Sequence, residues 1–310
     1  MAGPARLRTA AGATSESVAR GFQNAGGRAT SRGRMALMTV EGSSIDSARP
    51  SIARVYDYLL GGKDNYAVDR EVGDVFFRDL PNSVAIAFAN RAALTRAIAQ
   101  IVTTTGVRQF IDLGSGLPTA DNVHQVAQRH APESRIVYVD NDPQVLVHGS
   151  ALLEQNDRTR VVRADIRDPG GVRTHPDTLE LIDFARPVAV ILSAVLHHVN
   201  DEEDPASIVR YWRDHVPSGS HFFVSHFRSG DNPETAEAER VLQQTFGRGR
   251  WRTDDEIASL LDGLELLAPG IVPAPLWRPD TAPNPWNTSG AERELSVWER
   301  LIVAGLARKA

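Results

Sequence analysis

The feature that most constrains the fold of this 310-residue chain is an alternation of apolar runs and helix-like stretches that begins near residue 107. Five apolar runs have the length of buried strands: Gln109–Leu113, Ile136–Val139, Arg160–Ala164, Val188–Leu192 and His221–Val224. The stretches between them have helical character: Thr119–His130, Pro143–Glu154, Val172–Phe184 and Glu203–His215. Such a series of βαβ units predicts a doubly wound α/β fold with a mainly parallel sheet.

The end of the chain extends this predicted sheet. A helix is expected at Asp254–Leu261, followed by strands near Leu264–Ile271 and Leu295–Ala307. With the five earlier runs, these give a seven-stranded sheet. The α/β core is therefore predicted to cover residues 107–310.

Residues 47–106 predict a helical cap that precedes the sheet. Apolar side chains at helical spacing (Ile52, Val55, Tyr56, Leu59) indicate a helix that two glycines end. Two further helices are expected over Asp69–Arg78 and Val84–Thr104.

Residues 1–46 have a different composition, with six arginines and only three acidic residues. A segment with so few apolar residues cannot bury enough surface to fold, which predicts a disordered tail. An acid-poor, arginine-rich start is also typical of an organelle transit peptide, which is the alternative.

Composition restricts the classes of function and partner. The formal net charge of −5 argues against nucleic acid as a partner. The chain has no cysteine, which excludes a disulfide framework and a thiolate zinc site and fits a cytoplasmic location. No apolar run approaches the ~20 residues that span a bilayer, so no membrane partner is expected. Nothing in the composition argues against a homodimer.

The segment Phe110–Thr119 (FIDLGSGLPT) has the pattern of a nucleotide-binding turn between a strand and a helix. Gly114 and Gly116 allow a tight turn that a ligand can approach. A dinucleotide fold needs a third glycine where this chain has Thr119, and Asp112 suits a pyrophosphate badly. Asp112 suits the cationic ammonium of a methionine moiety instead, which favours S-adenosylmethionine over NAD.

Carboxylates also end the second and third predicted strands. Asp140 is placed to accept from both hydroxyls of a ribose, and Asp165 from an adenine amino group that Ile166 would cover. The alternative for Asp165 is a loop cap. The predicted cofactor-binding set is Asp112, Gly114, Ser115, Gly116, Asp140, Asn141, Asp165, Ile166 and Ser193.

Two adjacent histidines, His197 and His198, follow the fourth predicted strand. Histidine is the natural base for a hydroxyl acceptor near neutral pH, so His197 is the candidate catalytic base and His198 a candidate substrate-side residue. Both are also good structural hydrogen-bonding residues. Adjacent residues rarely aim both rings at one ion, so no metal site is expected.

These motifs, with Pro217-x-Gly219 before the fifth strand, resemble a class I S-adenosylmethionine methyltransferase, which has a Rossmann-like fold. More narrowly, residues 53–66 (ARVYDYLLGGKDNY) with 110–119 are similar to an actinobacterial family of S-adenosyl methyltransferases, formerly a domain of unknown function. The resemblance covers about residues 48–308 and implies the fold and the cofactor, but no substrate. A small-molecule acceptor methylated on oxygen or nitrogen is the expectation.

The segment Leu196–Val199 also resembles the corner of small-molecule O-methyltransferases in which the histidine matching His197 is the base. This chain departs from that pattern, because His198 replaces the usual acid and Val199 the usual aromatic residue.

The turn around Tyr58, Lys63 and Asn65 has two interpretations. It is either a cap that contributes to the acceptor site or a turn that packs the N-terminal helices on the sheet. Two alternatives to methyl transfer stay open at this stage: a non-catalytic S-adenosylmethionine sensor, and an NAD-dependent oxidoreductase.

Overall fold

The structure is a computed structural model, and it describes residues 45–79, 84–153, 156–229, 232–279 and 294–310. These residues belong to one compact unit, Ser44–Ala310. The predicted tail lies outside the described residues, apart from its last two positions.

Three helices precede the sheet, as predicted: α1 (Ile52–Leu59), α2 (Ala67–Asp79) and α3 (Ala85–Thr104). After α1, Gly61 has a φ of +81°, a left-handed conformation that glycine adopts without steric cost. Helix α3 is buried along most of its length, which includes the charged Arg91 and Arg96.

The sheet contains eight strands and is mostly parallel, which confirms the predicted fold class. The strands are β1 (Gln109–Leu113), β2 (Arg135–Asp140), β3 (Thr159–Arg163), β4 (Ala189–Ser193), β5 (His221–Phe227), β6 (Glu265–Leu266), β7 (Val272–Pro273) and β8 (Ile302–Arg308). Seven of them follow the order β3-β2-β1-β4-β5-β8-β6. The eighth, the short β7, pairs with β8 and was not predicted as a separate strand. Strand β8 is antiparallel to β5, β6 and β7.

The connecting helices are α4 (Val123–His130), α5 (Pro143–Leu152), α6 (Pro169–Thr174), α7 (Pro176–Leu181), α8 (Pro205–His215), α9 (Pro233–Phe246), α10 (Asp254–Ser259) and α11 (Val297–Leu301). Five differ from the sequence prediction. Pro176 lacks an amide hydrogen and divides the predicted 172–184 helix into α6 and α7. Helix α4 begins at Val123, four residues late, because Asn122 forms a capping box with Gln125.

The other two differences concern the end of the chain. Helix α9 was not predicted at all, although it has fourteen residues. The predicted last strand at 295–307 begins instead as helix α11, and its strand starts only at Ile302.

Two apolar layers enclose the sheet. One contains the buried face of α3 with Phe110, Ile136 and Trp277, and the other contains Ile111, Val190 and Trp212 from the opposite side. Neighbouring residues of a strand, such as Phe110 and Ile111, therefore enter different layers, as expected for a sheet that is covered on both faces.

The chain order along the sheet reverses between β1 and β4, since β1 pairs with β2 on one side and with β4 on the other. Connections leave such a point in opposite directions and open a crevice at the carboxyl ends of the strands. The fold therefore places the ends of β1 and β4 where a ligand site is expected.

Candidate functional site

A cavity of about 300 Å³ lies at the carboxyl ends of β1, β2, β3 and β4. It contains every predicted cofactor-binding residue and both histidines. From the sequence prediction, its lining includes Asp112, Gly114, Ser115, Gly116, Asp140, Asn141, Asp165, Ile166, Ser193, His197 and His198.

The glycine turn after β1 is shaped by two independent constraints. Gly114 and Gly116 have φ values of +71° and +65°, which a side chain would strain. A Cβ on Gly114 would also lie 2.3 Å from Val195 Cγ2, whereas a Cβ on Gly116 would meet no atom within 4 Å. Gly114 therefore allows close packing on the segment after β4, and Gly116 leaves open space beside the backbone.

Asp140 fixes this turn from the neighbouring strand. The Gly116 amide donates to Asp140 Oδ2 at 2.9 Å, and the Asp142 amide donates to Oδ1 at 2.9 Å. Burial raises the pKa of Asp140 to about 6, although these amide hydrogen bonds oppose the shift. Its carboxylate thus shapes the turn and faces the cavity.

Asp112 is the most strongly perturbed acid of the cavity. Its side chain is buried at the end of β1, which raises its pKa to about 7, while the positive charge of Arg91 opposes the shift. Asp140 adds a smaller effect in the same direction as burial, through repulsion between like charges. A bound cation strongly stabilises the ionised form of such a buried carboxylate.

Asp165 has the opposite electrostatic environment. Arg167 donates to it from Nε at 2.9 Å and from Nη2 at 2.6 Å, and the Arg167 amide adds a further bond of 2.9 Å. These contacts lower the pKa of Asp165 to about 2. The carboxylate is therefore held ionised as a hydrogen-bond acceptor.

Helix α1 covers the cavity and is anchored at its N-terminal end. Ser51 Oγ donates to Asp142 Oδ2, beside the predicted ribose subsite. Arg54 forms a buried ion pair of 2.7 Å with Asp69 of α2, and Asp69 also accepts from the Ser51 and Tyr66 amides. Because these bonds satisfy the buried charges, α1 and α2 are held together as one cover.

The predicted cap residues do not line the cavity. Tyr58 donates from its hydroxyl to Asp74 at 2.7 Å on the surface, and Lys63 is exposed. Asn65 donates to the buried Asp57 at 2.8 Å, which organises the turn after α1. Since Gln144 of α5 donates to the Asp64 carbonyl of the same turn, the segment packs the N-terminal helices on the α/β core.

His197 lies in a short 3₁₀ turn after β4 and is 1% exposed. Its ring stacks on Phe227 at 4.0 Å, and its Nδ1 accepts from the Phe227 amide at 3.3 Å. This contact assigns the proton of the neutral ring to Nε2. Burial, with the nearby His198 and His226, lowers the pKa of His197 well below its usual range, so the ring is neutral at physiological pH.

A buried arginine, Arg252, stabilises this histidine turn through hydrogen bonds. Arg252 donates to the carbonyls of Leu196 at 3.1 Å and Val199 at 2.9 Å, and to Asp201 at 2.8 Å. It also approaches His226 Nε2 at 3.1 Å, and burial lowers the pKa of His226 to about 3. Burial and the charge of Arg248 lower the pKa of His198 to about 4.

A polar cluster joins α3 to the ends of β4 and β5. Asn90 is buried and accepts from Ser193 Oγ at 3.3 Å and from Ser225 Oγ at 2.5 Å, while it donates to Tyr56 Oη at 3.1 Å. Ser225 Oγ also accepts from the amide of Ala194, whose φ is +52°. The cluster therefore stabilises a strained backbone position at the cavity wall.

Sequence analysis missed one complete wall of the cavity. Three residues one helical turn apart on α9 line it: Ala238, Leu242 and Phe246. Phe227 and Trp251 complete this side, and their rings meet edge to face at 5.1 Å. The i, i+4, i+8 spacing on α9 was the available signal.

The described residues contain no cluster of three or more histidine or acidic side chains arranged to hold a metal ion. Within the same ranges, no helix has the length and apolar character needed to cross a membrane.

Comparison with known proteins agrees with this geometry. A family model described as S-adenosyl methyltransferase matches residues 38–310. A candidate methyltransferase from Thermobifida fusca YX is 41% identical, with a TM-score of 0.79, over 86% of this chain and 97% of that chain. A DUF574 family protein from Streptomyces avermitilis MA-4680 is 38% identical, with a TM-score of 0.80, over 86% of this chain and 100% of that chain. No protein of curated function matches the chain in sequence.

Proposed function

The chain belongs to the S-adenosyl methyltransferase family, and on this premise we propose that it methylates an oxygen or nitrogen atom of a small, largely apolar molecule. The observation that carries the proposal is the cavity itself. The glycine turn and the strand-end carboxylates form one end, and the apolar side chains of α9 line another wall of the same space.

S-adenosylmethionine is the cofactor of this family, and the residues present fit it. Three carboxylates (Asp112, Asp140, Asp165) match the ammonium, the ribose hydroxyls and the adenine amino group in number and character. The open space beside Gly116 leaves backbone that a ligand can approach. We assign Ile166 to the adenine face, and Ser115, Asn141 and Ser193 to further contacts with the cofactor.

When bound, S-adenosylmethionine supplies an activated methyl group on a cationic sulfur. The protein therefore contributes mainly by orienting the acceptor and excluding water. Leu242, Phe246, Phe227 and Trp251 provide an apolar wall for both tasks.

The role proposed for His197 follows from its tautomer. A general base needs a lone pair directed at the acceptor, but the Nδ1 lone pair accepts from the Phe227 amide. The neutral ring then offers an Nε2 hydrogen, which suits it to donate to the acceptor and hold its orientation. We therefore propose His197 as a hydrogen-bond donor to the acceptor, with general-base catalysis as the alternative that a variant pair tests below.

The function is tested by incubating the protein with S-adenosylmethionine and a panel of small phenols and amines, with S-adenosylhomocysteine measured by mass spectrometry. Turnover that Asp140→Ala lowers roughly 10- to 150-fold at subsaturating S-adenosylmethionine is the expected result, because loss of hydrogen bonds to a charged group costs about 1.5–3 kcal/mol of binding. Cofactor binding without turnover on any acceptor would favour a sensor. Binding of NAD in place of S-adenosylhomocysteine would contradict the cofactor assignment.

A further inference from the structure

Arg248 lines the cavity from a loop that two glycines shape. Gly247 and Gly249 have φ values of +66° and +103°, so the arginine lies between two residues in conformations that favour glycine. A Cβ on Gly249 would lie 2.9 Å from the His197 carbonyl oxygen, and the loop therefore packs directly on the histidine turn.

Hydrogen bonds fix this loop in place. The Gly249 amide donates to Asn200 Oδ1 at 2.8 Å, and the Arg250 amide donates to the His197 carbonyl at 2.9 Å. Gln243 of α9 donates to the Gly249 carbonyl at 2.9 Å. Arg248 is thus held between the histidine turn and the apolar wall of α9.

The guanidinium of Arg248 has hydrogen-bonding capacity that the described residues do not use. It donates once among them, from Nη2 to Glu203 Oε1 at 2.6 Å, although an arginine carries five N–H donors. Glu203 is shared, because Arg167 also donates to Oε1. Arg248 therefore shares its counter-charge with a second arginine.

Two other arginines of the cavity wall are already committed to the protein. Arg167 donates to Asp165 from two of its nitrogens and to Glu203 from the third. Arg91 donates to the carbonyls of Ala120 and Asp121 and faces Asp112 electrostatically. Among the described arginines of the wall, Arg248 is thus the one best suited to bind a further anion.

We propose that Arg248 forms an anion subsite and that the methyl acceptor carries a carboxylate on an apolar body. The proposal rests on the proposed function, since it names the class of acceptor for the same cavity. Phe246 and Trp251, close to Arg248 in the chain, line the same cavity with apolar side chains, against which a carboxylate is stable only with a counter-charge. The planar guanidinium meets that need with a paired hydrogen bond.

The test uses 2-naphthoate and its neutral amide, 2-naphthamide, as matched probes. Each is titrated by calorimetry into the full-length protein saturated with S-adenosylhomocysteine. The acid should bind more tightly than the amide, and Arg248→Met should weaken the acid by about 10-fold or more while leaving the amide unchanged. Arg240→Met is the matched control, because Arg240 is exposed on α9 and pairs with Glu237.

A second variant predicts a change of opposite sign. Glu203→Gln keeps the capping contact with the Asn200 amide but removes the negative charge that competes for Arg248, so 2-naphthoate should bind more tightly. Equal affinities for acid and amide, no binding of the acid, or an unchanged affinity in both variants overturns the inference. Failure of the proposed function would appear separately, as an absence of S-adenosylhomocysteine binding when that ligand is titrated alone, before the probes are added.

Discussion

At the scale of single residues, Asp112 meets two opposing requirements. Burial disfavours its negative charge, whereas a cationic ammonium at the same position requires that charge. Ionisation of Asp112 therefore lowers stability when no cation is bound, and we propose that the ammonium of the cofactor offsets this cost.

Asp112→Asn should separate the two effects. At pH 8 the free energy of unfolding of the variant should be roughly 1–3 kcal/mol higher than that of the wild type, because the substitution removes a buried charge but keeps a polar group. Its affinity for S-adenosylhomocysteine should fall at the same time. Urea unfolding and calorimetry on the same samples measure both quantities, and a variant that loses stability would contradict the electrostatic assignment.

The pH dependence of the wild type has a defined sign. The folded-state pKa values of Asp112 and Asp140, about 7 and about 6, lie above the ordinary value of 3.8. Their contribution to stability is therefore present below pH 4 and is lost as the pH rises to 7. Unfolding free energies measured from pH 4 to 8 should show this fall, and Asp112→Asn should flatten it.

Cofactor affinity should rise with pH over the range in which stability falls. If an ionised Asp112 binds the ammonium, S-adenosylhomocysteine should bind about tenfold more weakly at pH 6 than at pH 8, since ionisation follows a pKa of about 7. Calorimetry at the two pH values measures this ratio. Equal affinities would mean that another group holds the ammonium.

Two substitutions of His197 distinguish a donor from a base. His197→Ala should lower turnover in both cases, by 10²–10⁴-fold if the ring is a base. His197→Gln offers an amide N–H but no basic lone pair, so it should restore much of the activity if the ring donates. Turnover, cofactor affinity and thermal midpoint are measured on both variants. Loss of all three together would show a packing role.

At the scale of elements, local signals in the sequence predicted strands β1 to β5 and helices α1 to α3 closely. They failed where two signals competed. Ser296 and Glu299 form a capping box that starts α11. The apolar residues that follow indicate a continuous strand, and this second signal dominated the prediction. Pro176 interrupts the predicted 172–184 helix, because proline has no amide hydrogen to donate within a helix.

The α9 side of the cavity was not predicted for a different reason. Its apolar stripe has only one residue per helical turn, and the intervening positions are polar, such as Gln243 and Gln244. The cavity residues at the ends of β1 to β4 were predictable because the βαβ pattern determines the position of the strand ends. Arg248 and Trp251 were not, because a loop brings them to the cavity only after the chain has folded.

Filling the space beside α9 should separate acceptor binding from cofactor binding. Leu242→Trp introduces an indole on the cavity wall. It should reduce methylation of the panel acceptors more than 10-fold, because the larger side chain fills space that the acceptor needs in the cavity. S-adenosylhomocysteine affinity should stay within about twofold, since the carboxylate end is unchanged. Gln244→Trp places the same side chain on the exposed face of α9 and serves as the control. Equal effects in the two variants would remove α9 from the acceptor site.

At the scale of the whole molecule, the strand order was the property that local patterns could not supply. Pairing of β4 with β1 joins residues about 80 positions apart, and only the completed sheet pairs Asp112 with Ile191 and so brings Ser193 to the same edge. The prediction that these side chains share one edge nevertheless holds, because carboxyl ends of parallel strands meet at one edge whatever their order. A homodimer stays a prediction that the sedimentation of the purified protein can test.

The boundary of the folded unit predicts how the protein responds to truncation of its N-terminal segment. Deleting residues 1–43 should leave the thermal midpoint and cofactor affinity unchanged, because the composition of that segment predicts disorder and the compact unit begins at Ser44. Deleting residues 1–50 should lower both, because Arg54 donates to the carbonyls of Asp46 and Arg49 next to its ion pair with Asp69. That loss would leave a buried arginine with fewer partners and would loosen α1 above the cavity. Thermal unfolding and calorimetry on both truncations measure the effects. A large loss in the shorter truncation would place a stabilising contact within residues 1–43.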